Sequence, residues 1–138
     1  MNAEKIQALG DELYQALRAG KTLAPLTERE PDITIQDAYH ISLRMVDQRV
    51  QRDGERIVGK KIGVTSRPVQ EMLGVFQPDF GFLTDAMVYP DAADIPIAGT
   101  LIQPRAEGEI AFRLKRDLAG PGVTEQDVLD ATETIIPC

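Results

Sequence analysis

The hydrophobic pattern of the chain changes at Asp53-Gly54, and this change constrains the fold more than any other feature. Before this point, apolar residues recur every three to four positions, which is typical of amphipathic helices. After it, apolar runs are short and the clearest one alternates with polar residues, as in a strand. A chain that places helices first and strands afterwards is predicted to have an α+β fold. We therefore divide it into an N-terminal helical section, residues 1–55, and the first part of a β-rich domain, residues 56–138.

Two helices are predicted in the front section. Residues 3–19 carry an apolar stripe, and Gly20 is a plausible stop for that helix. A second helix is expected to begin at Thr34, because Asp37 stands three residues later in a capping-box arrangement, and to end at Asp53-Gly54. Residues 21–33 are predicted to be a loop.

The section after Gly54 is predicted to hold short strands and two further helices. One helix should run from Ser66 to Leu73, and another from a capping box at Thr124 through about Ile135. The predicted strands are residues 56–63, 80–83, 87–89, 95–97, 100–103 and 106–114.

Composition and charge exclude several functions. The formal net charge is −7, which argues against nucleic acid and against an anionic membrane surface, because both require a basic face. No run of about 18 apolar residues exists that would span a bilayer. The N-terminal segment is charged throughout, so it is not a signal peptide. The single cysteine, Cys138, excludes an internal disulfide, and we expect a cytoplasmic protein.

Glu107 and Glu109 are the first candidates for chemistry. On a strand, side chains two residues apart lie on the same face, about 7 Å apart at the backbone. Two carboxylates held there repel each other, and a hard divalent cation would remove that repulsion by accepting oxygens from both. The alternative is that the pair belongs to the solvated face of an edge strand.

Lys60, Lys61 and Asp79 are further candidates. Adjacent strand residues point to opposite sides, so only one lysine is expected to face a given pocket, where it could stabilise negative charge. The alternative is an exposed edge lysine that blocks aggregation. Asp79 is predicted to lie in a turn, either as a proton carrier or as an ordinary turn residue. We assign no role to His40 or to Cys138.

Three stretches together resemble a known family. They are GKKIGVTS at residues 59–66, QPDFGFLTD at residues 77–85 and AEGEIAF at residues 106–112. The same stretches occur in the same order in the 2-keto-4-pentenoate hydratases, also called 2-hydroxypenta-2,4-dienoate hydratases, of the fumarylacetoacetate hydrolase superfamily. The helical front is similar to the N-terminal section of that family.

The resemblance implies a fold and a site. The fold would be N-terminal helices packed on a mixed β-roll. Glu107 and Glu109 match two metal carboxylates that would bind Mg²⁺ or Mn²⁺, Lys61 matches the lysine of the G-x-K-I-G motif, and Asp79 matches a pocket acid. The family has a third metal carboxylate at a position beyond Cys138. We therefore expect a fragment whose β-roll is incomplete at the C-terminus.

The resemblance also implies an activity. Such a hydro-lyase adds water to 2-hydroxypenta-2,4-dienoate, giving 4-hydroxy-2-oxopentanoate, in the meta-cleavage degradation of aromatic compounds. Its expected partners are a small 2-hydroxy-dienoate or 2-oxo acid substrate, further copies of itself in a homo-oligomer, and other meta-cleavage enzymes. Two alternatives remain open at this point: a 4-oxalocrotonate decarboxylase of the same superfamily, and a non-catalytic assembly partner.

Overall fold

The computed structural model describes residues 1–138 and falls into two compact units, Met1–Ile102 and Gln103–Cys138. The predicted division after residue 55 lies inside the first unit, and as a domain boundary it stays a prediction. The structure combines helices with two separate two-stranded antiparallel sheets, so the α+β class is confirmed. None of the helices combines the length and the apolar character that a bilayer span requires.

The first unit holds four helices and one two-stranded antiparallel sheet, whose strands are connected through a helix and which we call the β1–β2 hairpin. In chain order the elements are α1 (Ala3–Arg18), α2 (Leu26–Arg29), α3 (Ile35–Asp53), β1 (Ile57–Gly63), α4 (Arg67–Leu73) and β2 (Asp79–Thr84), followed by a single 3₁₀ turn at Asp85–Met87. The two long helices, β1, α4 and the strand at residues 80–83 were predicted from the sequence. The short α2 was missed, because it lies in the proline-containing stretch that was predicted to be a loop.

Helices α1 and α3 pack against each other and form the core of the first unit. Leu9 of α1 and Ile41 of α3 are among its most deeply buried side chains. Gly10 allows the close approach: a Cβ added there would lie 2.5 Å from the Arg44 Cβ and 2.9 Å from the Ile41 carbonyl oxygen. Arg44 in turn donates from Nε to Asp11 of α1 over 2.7 Å. The helix contact therefore depends on a residue without a side chain.

Both ends of α3 follow from the local sequence. The Thr34 hydroxyl accepts a hydrogen bond from the backbone N–H of Asp37 over 3.1 Å, and the Asp37 carboxylate accepts one from the backbone N–H of Thr34 over 3.1 Å. This is the predicted capping box. Gly54 then ends the helix in the left-handed conformation, at φ 71°.

The second unit consists of β3 (Ile110–Leu114), α5 (Glu125–Ala131) and β4 (Thr132–Pro137). The strands are antiparallel, with Ile110 opposite Pro137. The capping box of Thr124 and Asp127 is confirmed. The prediction that the helix continues to Ile135 is wrong, because residues 132–137 pair with β3. Their β-branched threonines and isoleucines favour that extended conformation.

Three predicted strands are also absent from the structure. In the stretch 87–89, Met87 ends the 3₁₀ turn and the next two residues do not pair, and residues 95–97 and 100–103 form turns and irregular backbone. Pro90 and Pro96 remove backbone donors from this segment, and Gly99 adopts φ 76°, a turn conformation. Short apolar runs between such residues were too weak a signal for strands.

Candidate functional site

The hairpin of β1 and β2 carries two of the candidate residues on one side. Lys61 lies opposite Gly81 in the register. Gly63 lies opposite Asp79. Because side chains alternate along a strand, these four residues share one face of the hairpin, which we call the Lys61 face, and Lys60 lies on the other.

The opposite face packs toward α3 through aromatic rings. The Lys60 Nζ lies 5.5 Å from the ring centroids of both Phe80 and Phe82, within the range of a cation–π interaction. Phe80 is stacked on Tyr39 of α3, with ring centroids 4.8 Å apart. Lys60 is therefore engaged with aromatic rings. Strand alternation alone left open which lysine serves chemistry, the resemblance indicated Lys61, and that role stays a prediction.

Asp79 is the first residue of β2, so the prediction that it lies in a turn is wrong. It extends the ladder because Gly63, at the end of β1, pairs with it. Its carboxylate lies directly over Gly63: a Cβ added to that glycine would overlap Oδ1 and lie 3.5 Å from Cγ. Lys61 stands two residues earlier on β1, which makes it the diagonal neighbour of Asp79 on the same face.

A buried ion pair fixes the end of this hairpin at which β1 begins and β2 ends. Arg49 of α3 donates from Nε to Glu55 over 2.7 Å and from Nη2 to the Thr84 hydroxyl over 3.1 Å. All three side chains are buried. Burial alone would raise the pKa of Glu55, but hydrogen bonds from Arg49, Thr84 and Arg18 outweigh it and hold that pKa below its usual value. The carboxylate therefore stays charged and ties the end of β2 to α3.

A second, exposed pair closes the same end of the hairpin. The backbone N–H and the Nε of Arg56 donate to the Asp85 carboxylate over 2.9 and 3.0 Å, and the Asp85 N–H donates to the Arg56 carbonyl over 2.9 Å. The backbone N–H of Arg56, and then its guanidinium, lower the pKa of Asp85. Neither this pair nor the buried cluster was recognised from the sequence, since Asp85 lies 29 residues from Arg56 and Thr84 lies 35 residues from Arg49.

Glu107 and Glu109 belong to the second unit and precede β3. The predicted strand over residues 106–114 is wrong at its start, because β3 begins at Ile110. Backbone pairing extends one residue further: the Glu109 N–H donates to the Cys138 carbonyl over 2.8 Å, and the Cys138 N–H donates back over 3.0 Å. Glu109 therefore continues the ladder, whereas Glu107 lies before it.

The chemistry of this acidic pair fits a hard divalent cation. Carboxylate oxygens are the ligands that Mg²⁺ and Mn²⁺ prefer. A Cβ added to Gly108 would meet nothing within 4 Å, so the backbone between the two acids is uncrowded. The chain forms no cluster of three or more His, Cys, Asp or Glu side chains that could hold a metal. That both glutamates ligate such an ion, as the resemblance implies, stays a prediction.

The two residues that were given no role stay outside the site. The His40 Nε2 lies 3.0 Å from the Nε2 of Gln36, one turn earlier on an exposed face of α3. Cys138 is an exposed free thiol whose backbone continues the ladder to Glu109.

One contact within the candidate site was missed from the sequence. The contact between Gly63 and Asp79 depends on strand register, which the glycine-flanked stretch 59–63 did not reveal.

Comparison with known proteins shows close relatives. The chain is 64% identical over its 138 residues to a 2-hydroxypent-2,4-dienoate hydratase of Pseudomonas putida, of which it covers 62%. It is 63% identical over 134 residues to a 2-hydroxyhexa-2,4-dienoate hydratase of Comamonas testosteroni, of which it covers 50%. The chain therefore spans about half the length of the curated relatives it matches. No protein-family model matches it.

Solved structures give a consistent result. The fold superimposes on a 4-oxalocrotonate decarboxylase from Pseudomonas putida G7, complexed with magnesium and adipate, with a TM-score of 0.91 at 32% identity. The match covers 99% of this chain and 51% of that one. A second structure of that decarboxylase, complexed with calcium and acetate, matches equally well. The resemblance to the 2-keto-4-pentenoate hydratases is thus confirmed, and by sequence this chain is a close relative of the hydratases of dienoate compounds.

Proposed function

We propose that the protein is a metal-dependent hydro-lyase that adds water to 2-hydroxypenta-2,4-dienoate and forms 4-hydroxy-2-oxopentanoate in the meta-cleavage degradation of aromatic compounds. The observation that carries this proposal is the 64% identity to a hydratase of that substrate class over the whole chain. The chemistry of the Lys61 face supports it, because a cationic and an acidic residue lie there on adjacent strands.

Glu107 and Glu109 are proposed to hold a divalent cation, Mg²⁺ or Mn²⁺. The decarboxylase structures, which contain magnesium or calcium, support a hard divalent ion for this chain as well. When bound, such a cation supplies Lewis acidity toward the carboxylate and the neighbouring 2-oxygen of a 2-oxo acid. The two glutamates provide negative charge and oxygen donors for it, and the Glu109 backbone is held by the ladder to Cys138.

Lys61 is proposed to stabilise negative charge on the 2-oxygen of the substrate. An ammonium group next to a developing enolate lowers the energy of that enolate by electrostatic attraction. Lys60 cannot take this role, because it lies on the opposite face above two phenylalanine rings. The two adjacent lysines thus have different roles because side chains alternate between the two faces of a strand.

Asp79 is proposed to move protons at the diene end of the substrate. Hydration of the dienol requires a proton at C5 and loss of the proton on the 2-hydroxyl, which together convert it to an α,β-unsaturated ketone. Water then adds at C4, which the ketone makes electrophilic, while a proton goes to C3. One molecule of water is consumed and no bond of the carbon chain breaks. An acid on the same face as Lys61 can transfer protons at the diene carbons of the substrate while the lysine stabilises charge on the 2-oxygen.

We further propose the finer features that the resemblance implies. The β-hairpins would belong to a mixed β-roll of the fumarylacetoacetate hydrolase type, in a cytoplasmic homo-oligomer that associates with other enzymes of the pathway. The high TM-score to the decarboxylase supports the fold.

The test is hydration of 2-hydroxypenta-2,4-dienoate by the purified protein, with the product identified by mass and NMR. We expect water addition that requires Mg²⁺ or Mn²⁺. The rate should fall by about 100-fold or more in Glu107→Gln, because loss of one carboxylate would weaken binding of the cation. Full activity of Glu107→Gln would remove the metal assignment. A protein that hydrates nothing, with or without metal, would favour the non-catalytic assembly partner.

A second candidate is 4-oxalocrotonate decarboxylase, which the 0.91 TM-score favours. The two activities are separated by their products, because decarboxylation of a 2-oxo diacid releases CO₂ whereas hydration does not. The sequence identity of 64% to a hydratase, against 32% to the decarboxylase, favours hydration. Release of CO₂ from 4-oxalocrotonate, without hydration of the dienoate, would reverse that preference.

A further inference from the structure

We propose that Gly63 is a positioning residue whose missing side chain determines where the Asp79 carboxylate lies. This inference rests on the proposed role of Asp79 in proton transfer. Gly63 is the last residue of β1 and pairs with Asp79, the first residue of β2. The two residues are therefore held face to face by backbone pairing rather than by a flexible loop.

The Asp79 carboxylate occupies the space that a side chain at position 63 would need. A Cβ built on Gly63 overlaps Oδ1 of Asp79, with Cγ at 3.5 Å and Oδ2 at 4.0 Å. Real Cβ atoms do not approach an oxygen so closely, so one of the two groups has to move if a side chain is introduced. The backbone of Gly63 does not have a positive φ, so its conformation is open to alanine.

The group that moves would be the carboxylate. It is the end of a short side chain that turns about a single bond at Cα–Cβ, whereas the Gly63 backbone is fixed in the strand. A methyl group at position 63 would therefore push the acid to another rotamer at little expense in stability. The glycine therefore determines the position of the carboxylate rather than the stability of the fold. A displacement of about 1 Å can reduce turnover by about 100-fold.

Gly59 offers a matched comparison on the same strand and the same face. Its added Cβ would lie 3.8 Å from Leu83 Cδ1, an ordinary van der Waals contact, and it too lacks a positive φ. Gly59 pairs with Leu83, two register positions further from Asp79 than Lys61. Alanine at position 59 thus repeats the chemical change of Gly63→Ala without touching the acid.

The experiment compares Gly63→Ala, Gly59→Ala, Asp79→Asn and the double variant Gly63→Ala/Asp79→Asn in the hydration assay. We expect kcat of Gly63→Ala to fall by about 100-fold with KM nearly unchanged, and Gly59→Ala to remain within about threefold of the parent protein. If Gly63 acts through Asp79, Gly63→Ala should have little further effect once Asp79 is asparagine. Thermal unfolding of the two alanine variants should be similar.

The outcomes separate this inference from the proposed function. If Asp79→Asn is fully active, the role of Asp79 is wrong. If Asp79→Asn loses activity but Gly63→Ala behaves like Gly59→Ala, the positioning role alone is wrong. Additive losses in the double variant would likewise overturn it, because they would show that Gly63 acts on something other than the acid.

A readout without turnover makes the inference testable even if the protein hydrates nothing. The carboxyl carbon of Asp79 can be followed by ¹³C NMR in protein labelled at aspartate and assigned with Asp79→Asn. Gly63→Ala should shift this resonance, and Gly59→Ala should leave it in place. An unchanged Asp79 resonance in Gly63→Ala would overturn the positioning role.

Discussion

The two antiparallel strand pairs of this chain, the β1–β2 hairpin and the β3–β4 hairpin, each have a helix in the connection between their strands but differ in their contacts with the rest of the chain. Both are antiparallel and both contain one register irregularity. The β1–β2 hairpin is tied to α3 by the buried Arg49–Glu55 pair, by a hydrogen bond to Thr84 and by an aromatic stack. In the β3–β4 hairpin, by contrast, all five residues of β3 are exposed, and Phe112 is 48% accessible.

This difference shows how a candidate site can be positioned. Lys61 and Asp79 lie on strands that are joined to α3 by the buried cluster of Arg49, Glu55 and Thr84 and by one aromatic stack, so their relative placement is set by the first unit itself. Glu109 is placed by the backbone ladder to Cys138. Substitutions in the buried cluster should therefore destabilise the protein more than equivalent substitutions at exposed positions.

The largest stability effect is expected at Arg49. Arg49→Ala leaves the buried Glu55 carboxylate without its main partner, and should lower the free energy of unfolding by about 3 kcal/mol. Arg56→Ala is the control, since the Arg56 side chain is 82% accessible and its pair with Asp85 should contribute less than about 1 kcal/mol. Urea unfolding measures both. Equal losses would mean that burial does not distinguish the two pairs.

A smaller loss is expected at the contact between α1 and α3. Gly10→Ala forces a methyl group against Arg44 and the Ile41 carbonyl, and should destabilise the first unit by about 2 kcal/mol. Gly81→Ala, whose Cβ would meet nothing within 4 Å, should stay within about 0.5 kcal/mol of the parent protein. A neutral Gly10→Ala would show that the helices separate easily.

The two capping boxes allow a direct comparison between the units. Thr34→Ala and Thr124→Ala each remove a hydroxyl that accepts a backbone N–H, and each should destabilise its helix by about 1 kcal/mol. Helix α3 is 19 residues long and packed, whereas α5 has 7 residues. Amide exchange should therefore rise along much of α5 but only in the first turn of α3. Uniform loss of protection in α3 would contradict this.

The smallest effect is a pH dependence at the start of α3. The Thr34 hydroxyl, followed by the Met1 amino group, lowers the pKa of Asp37 from 3.8 to about 2. A depressed pKa means that the folded state favours the carboxylate, so the stabilisation is present above pH 3.8 and is lost as the pH falls through about 2. Unfolding measured between pH 5 and pH 2 should show this loss in the parent protein and a shallower slope in Asp37→Asn. Identical slopes would remove the assignment.

Local signals in the sequence were sufficient for the long helices α1 and α3 and for the start of α5. Thr34, Thr124 and Gly54 mark helix ends through hydrogen bonds within three or four residues, so their roles could be predicted without tertiary information. The end of α5 could not, because residues 132–137 become a strand only by pairing with β3, about 20 residues earlier. Pairing over such a distance leaves no periodic signature in the sequence.

The candidate site was predictable in its residue types but not in its geometry. Alternation indicated that Lys60 and Lys61 face opposite ways, yet only the ring contacts of Phe80 and Phe82 show which lysine is packed. The position of the Asp79 carboxylate next to Gly63 depends on the register of β1 against β2. The residue types that carry the chemistry can be recognised in the sequence, whereas their positions depend on which strands pair.

The most direct test compares these adjacent lysines in the hydration of 2-hydroxypenta-2,4-dienoate. Lys61→Met should reduce kcat/KM by about 100-fold or more, because it removes the positive charge proposed to stabilise the enolate. Lys60→Met should remain within about threefold, because that side chain contributes only a cation–π contact of about 1 kcal/mol. A large loss in Lys60→Met together with an active Lys61→Met would contradict the account.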